Sequence, residues 1–248
     1  MGRVTKKKWI ITDEQYAQLL KKIISVLEEH HICYWLEFGS LLGCVRASCR
    51  IPWDHDLDIA VSGVDFERVL EIQSSFCSQG CHTMLKQEPG CYQRLLVIDD
   101  DVPSFHCDLY EFKRVEENYV YRWVIRRSLP CRISDFLLKM FCSLKFDADV
   151  FRYDEKEVGS AFFSFVRFVF WRVNQFFGST RELLFPVCCV TRVWYHGVLV
   201  SIPVDAEDHL LLNYGHGWRT PDPYHPQYAG GDEFVYDKVD GVERCMLR

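Results

Sequence analysis

The chain has 248 residues, 48% of them apolar and 26% charged, an ordinary globular composition with enough apolar surface for a substantial core. A net charge of −6 at pH 7 and a sequence pI of about 5.9 exclude long nucleic acid as the main partner, because phosphate backbones select basic faces. A small phosphorylated ligand remains open.

The first residues, MGRVTKKKWIITDEQ, are basic, but no apolar run follows them, so they do not read as a secretory signal. Thr12 opens a helix: Gln15 stands at capping-box spacing, and Asp13 and Glu14 occupy the first turn. Leu19, Leu20, Ile23, Ile24 and Leu27 then recur at helical spacing to about Glu29. Tyr34-Trp35-Leu36 reads as a short strand, and Ser40 to Arg46 as a short helix opened by Gly39-Ser40. Leu57 to Ser62 is a predicted strand, and Asp65 to Ser75 a predicted helix with Phe66, Val69, Leu70 and Ile72 inward. Two more strands are expected over Arg94 to Ile98 and Ser104 to Phe112, separated by a turn at Asp99-Asp100-Asp101-Val102-Pro103.

Residues 113–185 read as mainly helical with loops. Within them Val158 to Phe177 is the most apolar window, but Arg167 and Arg172 interrupt it. It is expected to be a buried helix and not a membrane span, with peripheral contact to a lipid surface as the alternative. Val193 to Pro203 suggests a hairpin around His196-Gly197, Asp205 to Tyr214 a helix, Gly215 to Pro226 a loop, and the residues from Gln227 a polar, weakly patterned tail. The expected class is α+β: a small mixed sheet flanked by helices, in one domain over residues 1–226 with a tail over 227–248.

Twelve cysteines contain no C-x-x-C pair. Cys77, Cys81, His82 and Cys91 are the nearest approach to a zinc site, but their spacing fits no strong pattern, so zinc is not expected.

The informative stretch is FGSLLGCVRASCRIPWDHDLDIA over residues 38–60. Asp54, Asp56 and Asp58 alternate, then the chain turns apolar. On a strand Asp56 and Asp58 share a face, about 6.5–7 Å apart, while Leu57 and Ile59 point into the core. Parallel carboxylates at a core edge repel unless a cation neutralises them, and oxygen ligands suit Mg²⁺ or Mn²⁺. Three other readings compete: a solvated acidic loop, a network with Arg46 or Arg50, and a calcium loop. The last fails because Ile59 stands where the sharp turn needs glycine. Gly39-Ser40 supplies a complement: a close backbone approach, helix-start N–H groups and a hydroxyl, all suited to phosphate, with Arg46 as a nearby cation.

The run WLEFGSLLGCVR…IPWDHDLDIAV closely resembles the LicD and fukutin-related family, part of the polymerase-β-like nucleotidyltransferase superfamily. Trp35, Leu36, Gly39, Ser40, Leu41, Leu42, Gly43 and Arg46 carry the first half of the likeness. Ile51, Pro52, Trp53, Asp54, Asp56, Asp58 and Ile59 carry the second. Near the C-terminus, VDAEDHLLLNYGHGWRTPDPY is similar to the family's closing helix and Tyr-Gly-x-x-Trp-x-x-Pro segment, through Tyr214, Gly215, Trp218 and Pro221. The two matches define core motifs at 30–112 and 186–226. Cys44, the ASCR segment at 47–50 and His55 depart from the family's commoner residues, and none removes an expected ligand.

The resemblance implies a metal-dependent phosphotransferase. It would move a phosphorylated alcohol of the phosphocholine or ribitol-phosphate type from a CDP-activated donor to a sugar hydroxyl of a glycoconjugate. The implied metal ligands are Asp54, Asp56, Asp58 and a third-strand carboxylate, and the implied donor-phosphate residues are Gly39, Ser40 and Arg46. Among Asp99, Asp100, Asp101, Asp108 and Glu111, Asp108 is the choice for the third-strand carboxylate, because it stands mid-strand on one face with His106 and Tyr110. Asp56, Asp58 and Asp108 would carry catalysis. Trp194, Tyr195, Trp218 and Tyr224 are the aromatics available for a choline cage. The alternatives are nucleotide transfer to protein, RNA or a small molecule, and a non-catalytic glycan- or partner-binding relative. As written the chain is expected to be cytoplasmic, and a Golgi enzyme if an N-terminal anchor precedes it.

Overall fold

Thr12 and Gln15 cap each other reciprocally: Thr12 N–H donates to Gln15 Oε1 at 3.0 Å and Gln15 N–H donates to Thr12 Oγ1 at 3.2 Å. They start α1 (Asp13–Glu29), whose Tyr16, Leu19, Leu20, Ile23, Ile24 and Leu27 are all buried. The computed structural model describes residues 11–54, 56–86, 91–103, 105–125, 179–186, 189–221, 234–239 and 242–247.

After α1 come β1 (Tyr34–Leu36), α2 (Phe38–Ala47), β2 (Asp56–Ser62), α3 (Gly63–Glu71), α4 (Gln73–Ser78), β3 (Cys81–Lys86), β4 (Arg94–Asp99) and β5 (His106–Val115). Then follow β6 (Asn118–Ile125), β7 (Ser179–Pro186), β8 (Val190–Tyr195), β9 (Val198–Pro203), α5 (Ala206–Tyr214) and a 3₁₀ turn at His216–Arg219. The described chain closes with β10 (Phe234–Val239) and β11 (Val242–Leu247). The fold is α+β, with a mixed sheet flanked by helices.

The sheet runs β1-β2-β5-β6-β7-β11-β10, and β4 joins it on β5, with β3 beyond. β2 and β5 are parallel, with Asp58 beside Asp108 and Asp56 beside His106. β5 changes neighbours along its length: His106 to Tyr110 lie between β2 and β4, and Lys113 to Val115 pair with β6. A separate hairpin, β8–β9, turns at His196 (φ 48°) and Gly197 (φ 74°). Two left-handed residues in a two-residue turn match the right-handed twist of the flanking strands.

The sheet's two faces differ. Leu57, Ile59 and Val61 of β2 and Cys107 and Leu109 of β5 pack with Leu19, Leu20, Ile23 and Leu27 of α1 in one core. Each leucine fully buried there stabilises the fold by about 1.5–3 kcal/mol. Ala60, Tyr110 and Phe112 face the other way, with Trp35, Phe38, Leu183, Phe185 and Leu212.

Several expectations are corrected. Residues 113–125 and 179–186 are strands, not helix: Tyr119 and Tyr121 alternate into the aromatic core against Trp35, Phe38 and Phe112, where broad rings suit a pleated surface. The segment after Gln227 holds two antiparallel strands, β11 pairing in parallel with β7. The sheet therefore gathers nine strands among the described residues and is not small. β3 was not anticipated, and the helix expected over Asp65 to Ser75 starts earlier, capped by Ser62, and breaks at Ile72. The apolar window at Val158 to Phe177 lies outside the described residues, as do His55 and Tyr224. No helix among the described residues is long and apolar enough to cross a membrane.

Candidate active site

Two parallel strands in register bring the acidic side chains together. Asp58 is 5% exposed and Asp108 1% exposed, side by side on β2 and β5. Asp54 and Asp56 complete the group: carboxylate oxygens of Asp54, Asp56 and Asp58 lie within 4.8 Å of one another. So do ligand atoms of Asp56, His106 and Asp108. The two sets share Asp56.

The N-terminus of α2 sits directly over this group. Gly39 N–H donates to Asp58 Oδ2 at 3.0 Å, and Asp58 N–H donates to Ser40 Oγ at 2.8 Å. A Cβ at 39 would overlap the Asp54 carboxylate and come within 3.1 Å of Asp58 Oδ2, so any side chain there would push Asp54 aside. Glu37, not Gly39-Ser40, caps the helix. In this structure, then, the Gly-Ser pair fastens Asp58, and the positive end of the helix faces a carboxylate.

On β5 the Tyr110 hydroxyl lies 3.2 Å from both Asp58 Oδ1 and Asp108 Oδ2. Arg94 of β4 donates to Asp108 Oδ2 at 2.9 Å, and His106 Nε2 is 3.9 Å from the same oxygen. Asp108 Oδ1 is buried without a hydrogen-bond partner among the described residues. Burial, then the neighbouring Asp54 carboxylate, pushes Asp56 up to about 7. Burial, then Asp56 and Asp54, holds Asp58 well above the usual carboxylate range, and burial followed by Asp58 and Asp108 raises Tyr110.

The other acids expected as alternatives are engaged elsewhere. Asp99 pairs with Lys22 at 2.9 Å, Asp100 with His82 at 2.8 Å, and Asp101 is 91% exposed. Glu111 faces Lys113 at 3.2 Å and accepts from Gln93 N–H at 3.0 Å. Arg46 is at the far end of α2, about 10 Å along its axis from Gly39, and donates to the Trp218 carbonyl at 3.4 Å. Arg50 reaches Asp13 and the Ile11 carbonyl, not the aspartates. No aromatic cage forms among the described members: Tyr195 and Trp218 are core residues, and Trp194 is 71% exposed. Cys77, Cys81, His82 and Cys91 form no metal-binding group among the described residues.

A buried network missed by sequence reasoning supports the helix start. Trp35 Nε1 and His209 Nδ1 each donate to Glu37 Oε2 at 2.8 Å, and Asn213 Nδ2 donates to Glu37 Oε1 at 3.0 Å. Glu37 N–H in turn donates to the Asp58 carbonyl at 3.2 Å. The C-terminal helix α5 is thereby tied to the strand that carries the aspartates. Arg94, Tyr110 and His106 were also not assigned to the site; His106 and Tyr110 share Asp108's face by alternation, but Arg94 reaches it only through the β4–β5 pairing.

Acidic oxygens in register under a helix N-terminus, one of them buried and unpartnered, fit a hard divalent cation. Residues 31–147 match the family model described as LicD/FKTN/FKRP, nucleotidyltransferase domain. These residues are similar to the LicD family. The chain is 49% identical over 39 residues to the ribitol 5-phosphate transferase FKRP of Homo sapiens, a stretch covering 16% of this chain and 8% of that protein. The Mus musculus FKRP matches to the same extent. An uncharacterized protein of Rickettsia prowazekii is 41% identical over 59 residues, 24% of this chain and 22% of that one. The match therefore spans less than a quarter of each of these relatives. Among solved structures, this chain is similar to the antibiotic-resistance factor ANT(2'')-Ia, with 21% identity, 44% of this chain and 52% of that chain covered, and a TM-score of 0.33.

Proposed function

We propose that this LicD-like domain transfers a phosphorylated alcohol, of the ribitol-phosphate or phosphocholine type, from a CDP-activated donor to a sugar hydroxyl of a glycoconjugate. The observation that carries this reading is the convergence of Asp54, Asp56, Asp58 and Asp108 under the start of α2. The FKRP likeness supports a phosphorylated alcohol as the group moved.

Asp54, Asp56 and Asp58 would hold one Mg²⁺ or Mn²⁺, and Asp56 and Asp108, with His106 beside them, a second. Bound there, the cations would neutralise the donor diphosphate and the charge building on the leaving CMP. Gly39 and Ser40 act on the phosphates through Asp58, whose carboxylate and backbone they fix. Asp108 Oδ1 takes the proton of the attacking sugar hydroxyl. The sugar oxygen bonds to the phosphorus that bears the alcohol, the bond from that phosphorus to the CMP oxygen breaks, and CMP departs with the electron pair. Glu37, His209 and Asn213 keep α2 and β2 in register.

The test is a screen of CDP-ribitol, CDP-choline and CDP-glycerol with Mg²⁺ or Mn²⁺ and candidate glycans. Free CMP, abolished by EDTA, together with a phosphoalcohol mass on the acceptor, is the expected result. Nucleotide on the acceptor in place of free CMP would move the assignment to nucleotidyl transfer. Neither turnover nor calorimetric binding of any donor would make the domain a non-catalytic relative.

A further inference from the structure

Strand pairing fixes Asp56, Asp58 and Asp108. Asp54 stands before β2, in the loop that follows α2, with its N–H on the Ile51 carbonyl at 3.0 Å. A ligand on a loop is only as well placed as the loop itself. Arg50 is where this loop is tied down. Its guanidinium reaches Asp13 at 2.8 Å and the Ile11 carbonyl at 2.7 Å, at the start of α1. Its backbone N–H donates to His196 Nε2 at 3.0 Å.

His196 comes from the tip of the β8–β9 hairpin, 146 positions away in sequence. Its left-handed backbone, φ 48°, sets the imidazole against Tyr16 and Tyr195, with ring centres 4.9 and 4.7 Å apart. The buried hydroxyls of Tyr195 and Tyr16 lie 3.3 Å apart, and that of Tyr16 lies 3.3 Å from Ser40 Oγ, which accepts the Asp58 N–H. The hairpin tip therefore braces both sides of the first acidic set: the Asp54 loop through His196, and Asp58 through Tyr195, Tyr16 and Ser40. Packing there is tight, since a Cβ on Gly43 would come within 2.6 Å of the Cys49 carbonyl and 3.1 Å of the Tyr195 hydroxyl.

The donor to His196 is a backbone amide, so Nε2 carries a lone pair and the ring proton sits on Nδ1. An imidazolium has N–H at both nitrogens and cannot accept this bond. Burial lowers the imidazole's pKa, Asp13 opposes that and Arg50 adds to it; Tyr16 and Tyr195 are the other titratable groups against the ring.

Resting on the cation site proposed above, we infer that His196 is a positioning residue for that site: by accepting the Arg50 N–H, the hairpin tip holds Asp54 within coordinating reach. Protonation of the imidazole releases the loop.

The experiment is Mn²⁺ calorimetry on the full chain: wild type, His196→Asn, His196→Gln, Asp54→Asn, and His196→Asn combined with Asp54→Asn. Asparagine suits the left-handed backbone but is too short to replace Nε2, whereas glutamine brings an amide oxygen to that position and does not titrate. His196→Asn should weaken Mn²⁺ binding by roughly 3- to 10-fold, and His196→Gln should restore most of it. In the Asp54→Asn background the same substitution should change affinity by less than about twofold. As pH falls from about 7 towards about 5, wild type should lose affinity faster than His196→Gln, whose carboxylates meet the same protons. Folded His196→Asn that binds Mn²⁺ within about twofold of wild type overturns the inference and leaves the cation reading standing. An equal loss with and without Asp54 overturns it as well, since His196 would then support the fold and not the ligand. Should His196→Asn fail to fold, the pH comparison decides, and parallel profiles for wild type and His196→Gln overturn the inference. A wild type that binds no Mn²⁺ removes the cation reading and this inference together.

Discussion

The two faces of β2 and β5 use the same backbone for opposite ends. Leu57 and Ile59 share β2 with Asp56 and Asp58, and Cys107 and Leu109 share β5 with Asp108. On one face every side chain leaves water for apolar neighbours, and burial stabilises the fold. On the other, carboxylates are drawn into low dielectric beside one another, which opposes folding until a cation or proton joins them. A strand's period of two lets a stabilising surface and a repelling, acidic one alternate without a single extra residue. The α1 side of these strands is thus apolar throughout, while the other side carries the carboxylate cluster at one end and an aromatic core at the other.

That division can be broken at either face. The largest effect is expected from Asp58→Asn, which removes a proposed metal ligand whose carboxylate contacts Gly39 N–H and the Tyr110 hydroxyl. Donor turnover should fall by roughly 1,000-fold or more, since even outer-shell partners of a metal site cost about 10–100-fold. The metal-free melting temperature should rise, because one repelling charge is gone. A variant that keeps turnover, or melts lower, would erase the contrast between the faces.

On the opposite face, Leu57→Ala should cost about 2–5 kcal/mol in chemical denaturation, as for other fully buried leucines. Mn²⁺ affinity of the folded variant should stay near wild type. A large loss of metal affinity would mean that the two faces are coupled through the strand.

A smaller and more selective change is expected from Gly39→Ala. The added methyl displaces the Asp54 carboxylate, the mobile end of a side chain, so stability should change by less than about 1 kcal/mol while Mn²⁺ affinity drops by roughly tenfold. Unchanged Mn²⁺ affinity would remove Asp54 from the ligand set.

A change of conditions in place of sequence sharpens the comparison through pH. Asp56 titrates near 7 in the folded metal-free protein against about 4 unfolded. Between those values the folded state binds more protons than the unfolded one, so stability falls as pH rises from about 4 to about 7. Denaturant midpoints measured in EDTA should show this decline, and saturating Mn²⁺ should flatten it. A metal-free stability that climbs over the same window would contradict a repelling carboxylate cluster.

Much of the site is legible one residue at a time. The alternation of Asp54, Asp56 and Asp58 into Leu57 and Ile59 announces a shared carboxylate face, and Asp108 stands out because it is mid-strand, whereas Asp99 ends β4 and Asp100 and Asp101 follow it in a turn. The caps and hairpin are local, so Thr12-Gln15 and His196-Gly197 are readable as well. The strands over 118–125 and 179–186 are harder: aromatic and β-branched runs there carry no turn signals strong enough to separate strand from buried helix. Arg46 lies close to Gly39 in sequence but on the wrong end of a ten-residue helix, so proximity along the chain misleads.

By itself the sequence determined which residue types alternate: acids at period two, with apolar residues at the strand positions between them. Those are consequences of backbone geometry and hold before any folding is considered. Only the tertiary structure decided which partners they meet. Asp108 beside Asp58, Arg94 beside Asp108, and His209 and Asn213 on Glu37 are products of strand register and helix docking across as many as 176 positions. Register is fixed by burial of whole faces, a cooperative quantity that no local pattern contains.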